Sequence, residues 1–201
     1  MTAELHEHNL ADFRAEAVVI GGSAGAVDVL GTVLPALPPD LGLPVIVVLH
    51  VPSGRESLLP DLFAPRCALP VWEPHDKQPI EPGIWFAPAD YHLLVEADRT
   101  FALSIDEPVR YSRPSIDVLF ESAAVTYGAG LLGILLTGAN DDGAAGGCAI
   151  RKLGGVLVVQ DPETAFASEM PQAAITRAAP QRVATVREFA PMMILASGGT
   201  P

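Results

Sequence analysis

Short runs of consecutive apolar residues recur along the chain from residue 17, and each run stops at a glycine, a proline or a polar residue. Such runs, without the alternation of a half-exposed strand, are typical of strands that are buried on both faces of a parallel sheet. Four runs have this form, at residues 17–20, 44–49, 131–136 and 156–159. Helical patterns separate them, which predicts βαβ units and a mainly parallel sheet with helices on both faces.

Apolar residues at helical spacing predict the faces that these helices bury. The predicted faces are Val27, Leu30 and Leu34; Leu58, Leu59, Leu62 and Phe63; Ile116, Leu119, Phe120, Ala123 and Ala124; and Ala144, Cys148, Ala149 and Leu153. In the middle of the chain the runs 84–87, 91–95 and 100–105 are shorter and closer together, with a turn signal at 97–99. This spacing predicts an antiparallel hairpin inserted on the main sheet.

The chain shows no internal repeat and no linker, so we expect one domain over residues 17–201. Residues 1–16 contain Glu4, Glu7, Asp12 and Glu16 and no apolar run, which predicts a loose acidic leader and not a signal peptide. Because no apolar run approaches the roughly 20 residues of a membrane span, we expect a cytoplasmic protein without membrane insertion.

The charge balance argues against two kinds of polyanionic partner. The formal net charge is -12, and Lys77 and Lys152 are the only lysines. Nucleic acids and anionic membranes require a basic stripe that this sequence does not contain, so neither is an expected partner. The two distant cysteines, Cys67 and Cys148, exclude a disulfide scaffold and a cysteine zinc cluster, and we expect both to be buried, unreactive thiols.

Reactive side chains follow three of the predicted strands. Ser23 comes after the first strand in a glycine turn, His50 ends the second, and Asp141 and Asp142 follow the third. Ligands of open α/β sheets bind outside the carboxyl ends of the strands, so we expect these side chains on one rim. A nucleophile, a base and a carboxylate on one rim predict a Ser-His-Asp triad, with no metal or organic cofactor. The position on the rim does not decide whether Asp141 or Asp142 is the carboxylate of the triad.

The backbone around the serine supports this chemistry. Glycines permit a tight turn that projects the Ser23 hydroxyl, and N–H groups near Ala24, with Ala139 as a second donor, would face a developing oxyanion. Each residue also has a purely structural interpretation: a serine or an aspartate before a helix is usually a cap, and a histidine at a strand end is usually only hydrogen-bonded.

Two other kinds of site are disfavoured. The glycines of the first turn lack the G-x-G-x-x-G spacing of a dinucleotide site, and no G-K-[ST] motif is present. A metal site from His50, Asp141 and Asp142 is disfavoured because adjacent aspartates point apart. We expect His75 and His92, in the inserted region, to be structural or exposed.

Six ordered blocks resemble the catalytic domain of the chemotaxis protein-glutamate methylesterase family (CheB-type) over nearly the whole chain from residue 17. The blocks are IGGSAG at 20–25, HVP at 50–52, FAPADYHLLV at 86–95, RPSIDVLF at 113–120, LTGANDDGAAG at 136–146, and QDPET at 160–164 running to MPQAAI at 170–175. The resemblance implies a three-layer α/β/α fold with a doubly wound sheet. It assigns Ser23 as nucleophile, His50 as base, and Asp142 in preference to Asp141.

The implied reaction is hydrolysis of glutamate γ-methyl esters on the cytoplasmic helices of methyl-accepting chemoreceptors, with deamidation of receptor glutamines as a second reaction. Two positions depart from the family pattern: Ala24 stands where threonine is common, and Ala139 where methionine is common. Both adjoin the nucleophile or its oxyanion site, so the rate or substrate preference is expected to differ.

Most familiar members of the family carry an N-terminal phosphoacceptor receiver domain, whereas only the short leader precedes the first strand here. We therefore expect either constitutive activity or a separate regulator acting in trans. A hydrolase of another ester or amide, or a catalytically silent binding module, remains the alternative, because a fold does not fix its substrate.

Overall fold

The structure is a computed structural model that describes residues 12–51, 54 and 57–200, and in this part of the chain the centre is a seven-stranded sheet. Its strands are β1 (Ala17–Gly22), β2 (Pro44–Leu49), β3 (Val71–Trp72), β4 (Gly83–Phe86), β7 (Leu131–Leu135), β8 (Val156–Gln160) and β9 (Arg182–Ala184). They lie in the order β3-β4-β2-β1-β7-β8-β9, and all neighbours are parallel. A separate antiparallel hairpin consists of β5 (His92–Val95) and β6 (Phe101–Ser104).

Helices cover both faces of the sheet. Their bounds are α1 (Ala26–Val33), α2 (Leu59–Phe63), α3 (Ile116–Tyr127), α4 (Ala144–Lys152), α5 (Glu169–Ala178) and α6 (Val186–Ala196). Successive residues of β1 enter two different cores: Val18 and Ile20 pack with α1 and α6, whereas Ala17 and Val19 pack with α3, α4 and α5. The strands are apolar on both faces for this reason, and the predicted three-layer α/β/α fold with its hairpin is confirmed.

Some details of the predicted elements were wrong. The run at 84–87 is part of β4 in the main sheet, so the hairpin contains only the two runs that follow it. Four residues predicted to face the core are exposed: Val27, Leu58, Leu62 and Leu153. In the first helix the observed buried face is rotated from the predicted one, because α1 buries Ala26, Val29, Leu30 and Val33. In the second, a five-residue helix has room for only Leu59 and Phe63 on its buried side.

The N-terminal segment and the two cysteines differ in part from the predictions. Residues 1–11 of the predicted leader lie outside the described residues; Phe13 and Ala15 pack against the core under α1 and α6. Cys67 and Cys148 are half-buried, not buried, and burial raises the pKa of the Cys67 thiol. Within the described ranges, no helix combines the length and the apolar character that crossing a bilayer requires.

Candidate active site

The carboxyl ends of β1, β2 and β7 meet where the strand order changes direction, which in open α/β sheets is where ligands bind. Ser23 follows β1, His50 follows β2, and Thr137 lies in the loop after β7. Backbone hydrogen bonds join the three segments: the His50 N–H donates to Gly22 O at 3.2 Å, and the Ser23 N–H donates to Thr137 O at 2.9 Å. The three predicted segments therefore adjoin one another at one rim.

Ser23 occupies a tight turn between β1 and α1. Its carbonyl accepts the Ala26 N–H at 2.9 Å, and Gly25, the N-cap of α1, has φ 82, which residues with a side chain rarely adopt. A Cβ on Gly25 would also stand 2.5 Å from Cβ of Phe166. The Ser23 side chain is half-buried, and its hydroxyl makes no hydrogen bond within the described part of the chain. It is therefore open to a new partner.

His50 is bound through one ring nitrogen to Asp142. The distance from His50 Nε2 to Asp142 Oδ2 is 2.8 Å, and the other ring nitrogen, Nδ1, lies 3.5 Å from the side-chain nitrogen of Asn140. A carboxylate can only accept, so the neutral ring carries its proton on Nε2 and keeps the lone pair on Nδ1. Nδ1 is thus the nitrogen that can act as a base.

Asp142 is a fully buried carboxylate with several donors around it. Its Oδ1 accepts from the Ser115 hydroxyl at 2.9 Å and from the Asp117 and Gly143 N–H groups at 3.0 Å each, and its Oδ2 also accepts the Ile116 N–H at 2.8 Å. Burial acts to raise the pKa of Asp142, but the His50 bond and the backbone N–H groups outweigh it and hold this pKa below its usual range. Asp142 therefore stays ionised and caps α3.

Asp117, on the first turn of α3, performs the reciprocal task for α4. Its Oδ1 accepts the N–H groups of Gly143 at 2.8 Å and Gly146 at 2.7 Å, while its Oδ2 accepts from Arg110 Nε at 3.2 Å. Burial, and then the charge of Asp142, raise the pKa of Asp117, against the lowering effect of Gly146 and Arg110. The two aspartates thus cap each other's helix and share the Gly143 N–H.

Asp141 points away from this centre. Its two oxygens pair with Arg110 at 2.6 Å and with Arg177 at 2.6 Å, and its side chain is 31% exposed. The structure therefore separates the two aspartates that the rim argument could not distinguish, and it places only Asp142 beside His50. Among the described residues, no cluster of three histidine, cysteine or acidic side chains could hold a metal ion.

His92 belongs to the same polar network, from the hairpin side. Its Nδ1 accepts the Ser115 N–H at 3.2 Å, so its Nε2 carries the proton that it donates to Glu107 O at 3.2 Å. Ser115 in turn donates its hydroxyl to Asp142. The buried His92 ring is thus joined through Ser115 to the carboxylate that holds His50.

The candidate oxyanion donors are two backbone N–H groups beside the serine turn. Within the described ranges, the N–H groups of Ala24 and Ala139, both predicted as oxyanion donors, donate to no other group. The loop carrying Ala139 is held close to the nucleophile turn, because the Thr137 hydroxyl lies 2.9 Å from Ala24 O and accepts the Ala167 N–H at 2.9 Å. A Cβ on Gly138 would lie 3.1 Å from Ser23 Cβ, so the loop that carries Ala139 is in close contact with the serine turn.

Sequence reasoning missed Ser115 and Asp117 as members of the site. Both stand at the predicted start of α3, where serine and aspartate usually cap their own helix, but Ser115 makes no such cap. Their partners in the Asp142 loop and α4 lie more than twenty positions away along the chain. His92 was expected to be structural or exposed, and it is buried and bound to Ser115.

Comparisons with known proteins bear on the family and the fold of this chain. The family model described as CheB methylesterase matches residues 18–193. A Leptospira interrogans protein, provisionally named a protein-glutamate methylesterase/protein-glutamine glutaminase, is 42% identical over 180 residues, which cover 89% of this chain and 93% of that protein. The protein-glutamate methylesterase/protein-glutamine glutaminase of Symbiobacterium thermophilum is 35% identical, and the match covers 90% of this chain but only 50% of that protein.

Among solved structures, the crystal structure of the Thermotoga maritima CheB methylesterase catalytic domain superposes with a TM-score of 0.85 at 29% sequence identity. The match covers 90% of this chain and 97% of that domain. The family model extends over most of the sequence, and the fold agrees from the sheet to the hairpin. The chain therefore belongs to the CheB methylesterase family.

Proposed function

We propose that this protein is a protein-glutamate methylesterase that hydrolyses glutamate γ-methyl esters on the cytoplasmic helices of methyl-accepting chemoreceptors, and that it also deamidates receptor glutamines. The observation that carries the proposal is the 2.8 Å bond between His50 and the buried Asp142, beside the open hydroxyl of Ser23, in a chain of this family. Residues 17–201 form the catalytic domain in this proposal, and the protein acts in the cytoplasm.

In the proposed reaction, Ser23 Oγ forms a bond to the ester carbonyl carbon while its proton passes to His50 Nδ1. The resulting oxyanion accepts hydrogen bonds from the Ala24 and Ala139 N–H groups, and one such donor is typically worth about 3 kcal/mol of barrier. The bond to the methoxy group then breaks, and the His50 proton leaves with it as methanol. The approach of Oγ to Nδ1 belongs to the substrate complex, because catalytic hydrogen bonds often tighten only there.

Water completes the cycle on the acyl-enzyme. His50 Nδ1 takes a proton from water as the oxygen attacks the glutamyl carbonyl, and the proton returns to Ser23 Oγ as the ester to the enzyme breaks. Asp142 keeps the ring in the required tautomer and stabilises the imidazolium that forms twice in each cycle. With a glutamine side chain the same steps release ammonia in place of methanol.

Methanol release from methylated receptor membranes tests the proposal. Ser23→Ala should lower the rate by at least about 10³-fold, because the nucleophile is lost. Ser197→Ala is the matched control, since Ser197 follows α6 near the amino end of β1, where the Ala15 N–H donates to Ala196 O, whereas Ser23 follows the carboxyl end of β1. This variant should keep the wild-type rate. Release by Ser23→Ala within tenfold of the wild-type rate would contradict the proposal.

Two further measurements separate the alternative functions. A serine-directed phosphonate should label Ser23, and the wild type should hydrolyse methylated receptor in preference to small esters. Labelling together with turnover of other esters but not of receptor would indicate a different substrate. Absence of both labelling and turnover would indicate a silent binding module.

A further inference from the structure

We propose that Asp117 is a positioning residue for the reaction, which fixes the Asp142–Gly143 turn and adds a second negative charge behind the Asp142 carboxylate. The inference rests on the proposed function, because it concerns the base that activates Ser23. It begins from the shared N–H of Gly143, which lies 2.8 Å from Asp117 Oδ1 and 3.0 Å from Asp142 Oδ1. Two carboxylates that share one donor must lie close together.

The geometry gives Asp117 control of where Asp142 lies. Asp142 is held through the Asp117 backbone N–H at 3.0 Å, and the residue after Asp142 is held by the Asp117 side chain. The same carboxylate binds Gly146, where a Cβ would stand 2.4 Å from Phe120 Cβ, so α3 and α4 are in close contact at this point. A displaced Asp117 would therefore move the turn that presents Asp142 to His50.

The charges around the pair support an electrostatic role as well. Asp117 and Asp142 are both nearly inaccessible to solvent, and on the outer side Arg110 contacts Asp117. Several titratable and charged groups of the described residues face the pair. Those near Asp142 are His50 after β2 and, through Ser115, His92 of β5. Those near Asp117 are Arg110, Asp141 with its partner Arg177 of α5, and Glu121 one turn along α3. When His50 accepts the serine proton, a second negative charge behind Asp142 stabilises the imidazolium further.

The test compares three variants at Asp117 with one at Asp141. Asp117→Asn keeps an oxygen for the Gly143 and Gly146 N–H groups but removes the charge, whereas Asp117→Ala removes both. Asp117→Glu keeps the charge but not the geometry. Asp141→Asn makes the same charge change one residue from Asp142, on a side chain that is 31% exposed and turned toward Arg110 and Arg177.

The readouts are kcat for methanol release, its dependence on pH, and the NMR titration of the His50 ring. In Asp117→Asn we expect kcat to fall about tenfold, and the His50 titration midpoint and the acidic limb of the rate profile to move down by about 0.5 pH unit. Asp141→Asn should move both by less than half as much. Asp117→Ala should in addition lower the melting temperature, because two helix N–H groups lose their acceptor.

Wild-type kcat and an unmoved titration in Asp117→Asn would overturn the proposal and leave Asp117 as a helix cap only. If thermal unfolding shows that Asp117→Asn does not fold, Asp117→Glu decides: we expect an unmoved His50 midpoint with a kcat about tenfold lower, and a wild-type kcat would overturn the proposal. A wild type that releases no methanol would refute the proposed function, while the NMR titrations would still decide the role of Asp117.

Discussion

Replacing Asp142 by asparagine separates the two tasks of this carboxylate, which are to hold His50 and to cap α3. The substitution keeps the size of the side chain, but one carboxylate oxygen becomes an NH₂ group, which can only donate. If the NH₂ takes the place of Oδ2, it faces the Ile116 N–H and His50 Nε2. If it takes the place of Oδ1, it faces the N–H groups of Asp117 and Gly143. Either orientation leaves a buried backbone donor without an acceptor.

The cost in stability follows from these contacts. One buried N–H without a partner, together with the loss of hydrogen bonds to a charged group, should lower the free energy of unfolding by about 2–4 kcal/mol. A domain of this size is typically stable by about 5–15 kcal/mol, so the Asp142→Asn variant should remain folded. The wild-type pKa of Asp142 is lowered, so its contribution is complete above the unfolded-state pKa and is lost as the pH falls through the folded-state pKa.

The cost in activity should be much larger. If the NH₂ lies at the Oδ2 position, it favours the tautomer with the proton on Nδ1 and removes the lone pair that would accept the serine proton; a wrong tautomer costs on the order of 10⁴ in kcat in serine proteases. If it lies at the Oδ1 position, the tautomer is kept, but the negative charge that would stabilise the imidazolium is lost. Urea unfolding followed by circular dichroism, at pH 7 and then at pH values below the unfolded-state pKa of aspartate, measures the first effect. Methanol release measures the second. A folded variant with wild-type stability at pH 7 and a rate within tenfold of wild type would refute the reasoning.

Three further predictions concern Gly146 and His92 near the site and Glu188 at the start of α6. Gly146→Ala should lower the free energy of unfolding in urea by about 1–3 kcal/mol, because its Cβ would overlap Phe120, and an unchanged midpoint would contradict this packing. Thr185, and then Arg182, lower the pKa of Glu188, whose side chain is 37% exposed and therefore partly screened by solvent. Glu188→Gln should for this reason cost only about 0.5 kcal/mol at pH 7, and progressively less as the pH falls through the folded-state pKa of Glu188. A pH-independent difference in urea titrations would argue against this role. His92→Leu should slow methanol release several-fold and His92→Asn should restore part of the rate, because the amide oxygen can replace Nδ1; equal rates for the two variants would exclude this role.

Much of the fold could be predicted because the sheet is buried on both faces. The run at 44–49 coincides with β2, and the other three strand predictions differ from β1, β7 and β8 by one or two residues at one end. The helix faces were less certain, since a short helix has little periodicity: α3, with twelve residues, buries all five predicted positions, whereas the eight-residue α1 exposes Val27. A parallel strand such as β4 could not be told from a hairpin strand, because both are short apolar runs.

The site was predictable only in part, for a related reason. Strand order puts Ser23, His50 and the aspartate loop on one rim whatever the side chains do, so the rim could be inferred from the chain alone. The choice between Asp141 and Asp142 depends on which way two adjacent side chains point. That direction is set by Arg110 and by the start of α3, which are distant in sequence. The resemblance to the family supplied the choice that the local pattern could not.

The outermost strands of the sheet are brief: β3 has two residues and β9 has three. A long, flat outer strand offers a row of unpaired amide and carbonyl groups on which another chain can add, and this is a common origin of aggregation. Here each outer strand can offer very few such groups, and Trp72 of β3 is turned onto Trp85 with ring centres 4.7 Å apart. We therefore expect the protein to stay free of strand-mediated self-assembly at high concentration. With longer outer strands, other copies of the chain could pair with the edges of the sheet.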